Sequence, residues 1–342
     1  MKAIVIPEYG DPDVLQLRDL PAPELRPGHV RIDVKATGIN FADLQMRMGR
    51  YPEAPPVPFV AGYEVAGIVA EAHAEDVARA PWLKPGSKVM AVTRFGGYAE
   101  QVVTPSVKVC PLPESWSYAE GAAFLINFVT AWLGVRSMAR IQAGDHLLIH
   151  GIAGGVGLAA LQIARAAECH VAGTCSGAKA EPVAALGAEA VFDAALPDCT
   201  AAVREWAPEG PDVILEPRGG KGLKQSLELV RPLGSVVLFG FREIMERESV
   251  DPAKAEMTSG RLLWFNPLSL IERSTGIFML NIMNLWDDPL TFRRVADQLQ
   301  QGVGQGRFRP VIHDTLPFDR VADAHRVLHD RRNVGKVVLT LS

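Results

Sequence analysis

His146-Leu147-Leu148-Ile149-His150-Gly151-Ile152-Ala153-Gly154-Gly155-Val156-Gly157-Leu158-Ala159-Ala160 is the stretch on which the fold turns. Five residues of strand character empty into glycines, and the glycines open onto an apolar run that continues as a helix. Glycine lets a backbone turn sharply and approach a ligand closely, while the free N–H groups and positive dipole end of a helix face negative charge. The expected structure is a cradle for the pyrophosphate of a dinucleotide, built from Gly154, Gly155, Val156 and Gly157. The spacing from Gly151 is G-x-x-G-x-x-G and not the strict G-x-G-x-x-G. Context therefore carries the reading: a strand before, a helix over Gly157–Ala166 after, and a second strand at His170-Val171-Ala172-Gly173-Thr174.

Outward from this loop the alternation continues. Val213-Ile214-Leu215 and Ser235-Val236-Val237-Leu238-Phe239 read as buried strands with a helix over Gly222–Val230 between them, which implies an α/β unit whose parallel sheet is covered on both faces. Upstream, Tyr118 to Arg136 reads as one mostly buried helix, with Ser117 as N-cap and Glu120 in the capping-box position. From Lys2 to Thr104, short β-branched runs such as Val30–Val34, Ala66–Val69 and Lys88–Val92 are broken by Gly and Pro, the texture of an irregular all-β region. The Pro-rich stretches Pro52–Pro58 and Pro105–Pro113 read as surface connections. Arg242 to Asp288 is less regular, with an apolar Leu262-Leu263-Trp264-Phe265 and a strand at Gly276–Leu280. Two amphipathic helices, Leu290–Gln301 and Asp319–Asp330, and a strand over Lys336–Leu341 close the chain.

Length and composition bound the function classes. At 342 residues with 48% hydrophobic and 22% charged content, the chain is globular and long enough for about two domains. Thirty-five basic against 39 acidic residues leave a net charge of −4, which gives no broad attraction for nucleic acid or anionic lipid. Cys110, Cys169, Cys175 and Cys199 form neither a C-x-x-C pair nor a zinc-cluster spacing, which fits a reducing compartment. The N-terminus enters a strand-like run without a signal peptide's blocks, so a cytoplasmic location is expected. His146–Ala164 holds no charged residue, but its glycines and histidines argue against a membrane span, and no integral membrane segment is expected.

Cofactor choice is decided at the end of the second strand, where an NAD site places a carboxylate on the ribose 2′-hydroxyl. Here the chain reads Thr174-Cys175-Ser176-Gly177-Ala178-Lys179, with no acid before Glu181. Ser176 can donate a hydrogen bond and Lys179 a charge to a 2′-phosphate, so NADPH is favoured and NADH is the alternative; Lys179 as a solvated helix-start residue is the plainer reading.

Gly38-Ile39-Asn40-Phe41-Ala42-Asp43, Gly62-Tyr63-Glu64, Leu125-Ile126-Asn127-Phe128-Val129-Thr130-Ala131 and Gly154-Gly155-Val156-Gly157 together resemble the medium-chain dehydrogenase/reductase superfamily, in its zinc-free quinone oxidoreductase branch, and within that branch the vesicle amine transport protein homologues. The resemblance spans the whole chain. It implies a GroES-like β-rich catalytic domain over 1–124, a Rossmann domain with a doubly wound parallel sheet over 125–288, a return to the catalytic domain over 289–342, and a homodimer joined partly sheet edge to sheet edge. Zinc-dependent members carry Cys where this chain has Asn40 and His where it has Tyr63, and neither residue replaces thiolate or imidazole at a tetrahedral site. His325 and His329, at i and i+4, are read as an ordinary helix face and not as a metal pair.

Without a metal, hydride transfer requires an acceptor that carries the resulting charge easily: a quinone or an α,β-unsaturated carbonyl. Reduction of an enone makes an enolate, which needs a hydrogen-bond donor at oxygen. By resemblance Tyr51, in Gly49-Arg50-Tyr51-Pro52, is the first candidate for that donor and Asn40 the second, with Asn40 and Thr130 near the nicotinamide, Phe239-Gly240-Phe241 beside its ring, and Asn333 and Lys336 closing over the cofactor. The plainer readings are a loop aromatic for Tyr51, a turn-capping amide for Asn40, core for Phe241 and a surface turn for Asn333 and Lys336. Val191-Phe192-Asp193-Ala194 lacks the tyrosine that relatives place at 194 beside the adenosine. Two alternatives stand beside the leading one: an enoyl thioester (CoA or carrier-protein) reductase, with Arg47, Arg50 and Arg94 as candidates for its charged cleft mouth, and an NADPH-binding dimer with little turnover.

Overall fold

The computed structural model describes residues 1–196, 199–241 and 267–341. Along the chain, β1 (Lys2–Ile6), β2 (Gln16–Asp19), β3 (His29–Ile39), β4 (Phe59–Val60), β5 (Glu64–Ala72), β6 (Lys88–Val92), β7 (Gln101–Pro105) and β8 (Val109–Pro111) come first. Then follow β9 (His146–His150), β10 (His170–Cys175), β11 (Ala190–Asp193), β12 (Val213–Glu216), β13 (Ser235–Leu238) and β14 (Gly276–Met279), and last β15 (Ile312–Pro317) and β16 (Lys336–Thr340). The chain divides into two compact units, one of Met1–Asn127, Met283–Gln301 and Arg309–Ser342, the other of Phe128–Ile282 and Gly302–Phe308.

In the first unit β3 alternates buried and half-buried residues from His29 to Lys35, the period of two that puts Val30, Ile32 and Val34 on one face. That face packs with Val65, Val69, Val89, Val102 and Val109 into one core, each such side chain contributing roughly 1.5–3 kcal/mol on burial. The sheet runs β15-β16-β3-β5-β6-β8 with β7 also on β3, antiparallel except for the β15/β16 pair. A smaller sheet, β2-β1-β4, stands beside it in the same unit. The stretch Pro105–Pro113 is not merely a connection: Val109 and Cys110 are buried, and β8 pairs antiparallel with β6.

The second unit holds a six-stranded sheet in the order β11-β10-β9-β12-β13-β14, every pair parallel. Leu148, Ala172, Ile214, Val236 and Leu238 pack with Val203, Leu223 and Leu229 of the covering helices. This is the mixed α/β architecture expected. Strand order reverses between β9 and β12, and such a switch point leaves a ligand crevice at the carboxyl ends of the strands.

The expected single helix over Tyr118–Arg136 is divided into Tyr118–Gly121, Leu125–Trp132 and a π-helical Leu133–Met138. The Ser117 cap is present, with the Ser117 backbone N–H donating to Glu120 at 2.8 Å. At the break Ile126 N–H, one of the donors a helix start leaves unpaired, bonds Glu64 Oε2 at 3.1 Å. Tyr118–Met138 is apolar enough to cross a membrane, yet 78% of its most apolar window is buried inside the fold. His146–Ala164 is a strand, a loop and part of a helix. The apolar Leu262–Phe265 lies outside the described residues.

Candidate active site

The glycine loop sits where the switch point requires it. Gly151 follows β9 with φ +68°, and Gly154 caps the helix Gly155–Arg165, which starts two residues earlier than its sequence suggested. Gly154 N–H donates to the Gly151 carbonyl at 2.9 Å, and Ile152 N–H to Thr174 at 3.1 Å, which ties the loop to β10. A Cβ on Gly157 would stand 2.6 Å from the Ile152 carbonyl oxygen, so only glycine lets the helix start so close to the turn. Gly154, Gly155, Val156 and Gly157 thus form a bare helix N-terminus at the crevice, a cradle that fits the pyrophosphate of a dinucleotide.

At the end of β10, Ser176 is exposed and caps the short 3-10 turn Gly177–Lys179, in which Lys179 is half-buried. The tertiary fold adds a carboxylate there: Asp193, at the end of β11, lies so close that a Cβ on Gly177 would meet its Oδ2 at 2.6 Å. Nothing in the run Thr174–Lys179 signals it, because the acid arrives from the neighbouring strand. Ala194 N–H bonds Cys175 at 2.8 Å. Beyond β13, Phe239 and Gly240 are half-buried, and Phe241 packs against the core of the unit. Phe239 N–H reaches the Glu216 carbonyl at 3.1 Å. Thr130 is buried on the helix Leu125–Trp132.

Glu216, at the end of β12, was not singled out by the sequence. Its buried carboxylate takes Arg218 Nη2 at 2.6 Å and Ser226 Oγ at 2.7 Å, and His150 Nε2 lies 3.9 Å away. Burial pushes this group up, but the hydrogen bonds from Arg218 and Ser226 and the charges of His150 and Arg218 outweigh it and hold the carboxyl below its usual range.

In the first unit two residues picked from the sequence meet each other. Lys336, the first residue of β16, is buried and donates to Asn40 Oδ1 at 2.6 Å and to Glu64 Oε1 at 2.5 Å. Asn40 Nδ2 donates to Glu64 Oε1 at 3.3 Å. Lys336 is therefore no surface turn residue, and the Asn40 amide is committed to an ion pair besides standing at the N-cap of the helix Phe41–Arg47. Asn333 Nδ2 closes locally on the Gly335 carbonyl at 2.7 Å. The missed member is Glu64; an isolated acid opening the run Glu64-Val-Ala-Gly-Ile-Val was a signal, because a buried charge demands a partner. Beneath it, Asp43 accepts from the Asn40 N–H at 2.7 Å and the Gly62 N–H at 3.1 Å.

Tyr51 lies in the loop after that helix, half-buried, its ring edge-on to Tyr63 at 6.3 Å; Tyr63 in turn lies 5.7 Å from Phe95. Burial pushes the Tyr51 phenol up, the Tyr63 hydroxyl pulls it back, and the charges of Glu53 and Asp43 push it further. Tyr51 is thus a neutral donor at physiological pH. Arg47 is fully buried and takes no part in a cleft mouth, whereas Arg94 is exposed. His325 is buried with Nε2 3.3 Å from the Tyr98 hydroxyl, and His329 is exposed.

Known proteins share this architecture. Residues 26–114 match the family described as alcohol dehydrogenase GroES-like domain, and residues 155–285 the family described as zinc-binding dehydrogenase. The chain is 32% identical to the rat synaptic vesicle membrane protein VAT-1 homolog over 99% of this chain and 84% of that protein. It is 31% identical to human quinone oxidoreductase over 100% and 98%. Among solved structures, the quinone oxidoreductase of Thermus thermophilus, also described in its complex with NADPH, superposes with a TM-score of 0.82 at 32% identity, covering 100% of both chains. The human VAT-1 homolog-like protein superposes with a TM-score of 0.86 at 29% identity, covering 100% of this chain and 98% of that one.

Proposed function

The chain belongs to the medium-chain dehydrogenase/reductase superfamily, and within it we propose that the protein is a zinc-independent, NADPH-dependent oxidoreductase that reduces quinones or α,β-unsaturated carbonyls. The observation that carries this reading is the ammonium of Lys336 seated on Asn40 Oδ1. At the position where the resemblance puts a zinc-binding cysteine, this chain has an amide already engaged by the buried Lys336–Glu64 ion pair, and an amide is no substitute for a thiolate on zinc. Tyr63, at the position of the zinc-binding histidine, offers a phenol.

When bound, NADPH would supply the hydride that reduces the acceptor. Gly154, Gly155, Val156 and Gly157 would hold its pyrophosphate, Ser176 and Lys179 its 2′-phosphate, and Thr130, Asn333 and the Phe239-Gly240-Phe241 loop its nicotinamide end. Asn40 and Lys336 act together, the ion pair with Glu64 fixing the amide. As negative charge develops on the acceptor oxygen, Tyr51 donates a hydrogen bond to it and then its proton; the phenol, kept neutral by burial, still carries that proton at pH 7.

The enoyl thioester reading keeps Tyr51 in the same role. It loses Arg47, one of its three candidate phosphate contacts, to burial, which favours the quinone or small-enone reading. The protein is mixed with NADPH and, separately, quinones, enones and crotonyl thioester while the reduced-nicotinamide absorbance is followed. Loss with quinones or small enones is the expected result; loss with the thioester alone selects the second reading, and binding of NADPH with no oxidation by any acceptor selects the non-catalytic one.

A homodimer belongs to the proposal. β14 is the last described strand of its sheet, and Leu268, Ile271, Phe278 and Met279 near it expose apolar surface. Sedimentation at twice the chain mass is expected; a monomer at micromolar concentration removes this part.

A further inference from the structure

The Tyr63 side chain packs its ring against Tyr51 and Phe95 and carries a hydroxyl that acts on Tyr51 alone among the described residues. It is 3% exposed, at the turn into β5, and its hydroxyl is buried without a hydrogen-bond partner among the described residues. Folded proteins rarely bury a hydroxyl unpaired, because the lost hydration is not repaid. The packing around it is aromatic, with Phe95 on one side at 5.7 Å and Phe59 beyond, 6.4 Å from Phe95. The other phenol beside it is Tyr51, ring to ring at 6.3 Å and 64°. Of the two, Tyr63 is the inner and Tyr51 the outer, and the Tyr63 hydroxyl is near enough to Tyr51 to favour its ionised form.

We propose that Tyr63 is the positioning residue for Tyr51: in the acceptor-bound protein the Tyr63 hydroxyl donates to the Tyr51 oxygen, which aims the only Tyr51 proton outward at the acceptor oxygen. This rests on the reductase reading above and deepens it. In the step, the hydride that bound NADPH would supply, one proton with two electrons, reaches the acceptor β-carbon and leaves NADP+, while the C=C π pair moves to make the enolate. Tyr51 passes its proton to the enolate oxygen, becoming a tyrosinate that the Tyr63 O–H stabilises. Solvent then returns a proton to the half-exposed Tyr51, and the enol relaxes to the saturated carbonyl; a quinone takes the same hydride and proton to become a hydroquinone. A phenol offers one proton and two lone pairs, so a donor behind it decides which way that proton points. The groups facing the pair are Asp43 and Glu53, whose negative charges oppose ionisation of either phenol and leave Tyr63 as the element of the site that favours the tyrosinate.

The test is a cycle of Tyr51→Phe, Tyr63→Phe and the double variant. Tyr63→Phe should lower kcat roughly tenfold, a part of what a general acid contributes, with acceptor KM and NADPH Kd unmoved, and should cost nothing further in the Tyr51→Phe background. Because it removes an unpaired buried hydroxyl, the cofactor-free variant should melt no lower than the parent and up to about 2–4 °C higher. Tyr51→3-fluorotyrosine gives a readout independent of turnover: its 19F resonance should titrate at higher pH once Tyr63→Phe is added. An unaltered kcat in Tyr63→Phe beside a slow Tyr51→Phe, additive losses in the double variant, a marked fall in melting temperature, or an unmoved fluorine titration each overturn the relay. A full rate in Tyr51→Phe, or no oxidation of NADPH by any acceptor, sinks instead the reductase reading beneath it, and the fluorine titration still decides whether the two phenols communicate.

Discussion

Lys336 and Glu64 depend on each other because each is a charge with almost no access to water. Lys336→Met leaves the buried Glu64 carboxyl without its cation, with the Asn40 amide and the Ile126 N–H as its partners among the described residues. Stranding one member of such a pair costs about 3–5 kcal/mol, a loss that urea unfolding at pH 7 should read; a change below about 1 kcal/mol would mean that water reaches the site. At the proposed cofactor end, the Asp193 carboxylate beside Gly177 would work against the binding of a 2′-phosphate by Ser176 and Lys179. Asp193→Asn should shift the ratio of NADPH to NADH affinity toward NADPH by about fivefold, a surface-charge effect of roughly 1 kcal/mol; titration of both nucleotides checks it. At this scale the sequence was half legible. Asn40 and Lys336 were picked separately, by resemblance, but their shared partner is 272 positions from Lys336, and Asp193 reaches the site only through the parallel pairing of β10 with β11.

The elements were clearer, since periodicity and glycine spacing are local. The strand–loop–helix over 146–165 and the all-parallel pairing follow from pattern alone. Its weakest point is Gly157: Gly157→Ala puts a methyl 2.6 Å from the Ile152 carbonyl and 2.7 Å from its Cα, and backbone cannot yield as a side-chain tip does. We expect a loss of about 1–3 kcal/mol in stability and at least a tenfold rise in NADPH Kd; an unchanged affinity would show that the cradle does not hold the pyrophosphate. The run 118–136 reads as one continuous helix, and is not, because hydropathy registers burial and not hydrogen bonding. Its break follows from two tertiary contacts, Glu64 on the Ile126 N–H and the close approach of Gly121 to Ala66 and Leu112.

At the scale of the molecule, acid stability is governed by two buried groups of opposite sign in the first unit. Burial raises Asp43 from 3.8 to about 6, against the pull of the backbone at Asn40, the Lys336 charge, the backbone at Gly62 and the Tyr98 hydroxyl. Burial, aided by the Arg47 charge, lowers His325 from 6.5 to about 3. Between pH 6 and 3.8 the folded state holds a proton on Asp43 that the unfolded chain has released, so acidification stabilises. Between pH 6.5 and 3 the unfolded chain binds a proton that folded His325 refuses, so acidification destabilises. Each effect is roughly 1.4 kcal/mol per pH unit, and from pH 6 to 4 they nearly cancel. His325→Gln removes the second, and its stability relative to the parent should rise by on the order of 3 kcal/mol from pH 6 to pH 4 in urea unfolding; a parallel curve would mean that His325 is charged in the fold.

The sequence by itself determined the two architectures, the glycine cradle and the family, because strand and helix periods, turn glycines and motif residues act over a few neighbouring positions. Only the tertiary structure decided which charges face one another: Lys336 with Glu64 and Asn40, Asp193 with Gly177, Tyr63 behind Tyr51. Those pairings are made by strands and loops that meet after folding, and a buried polar group shows its partner only once the chain has closed around both.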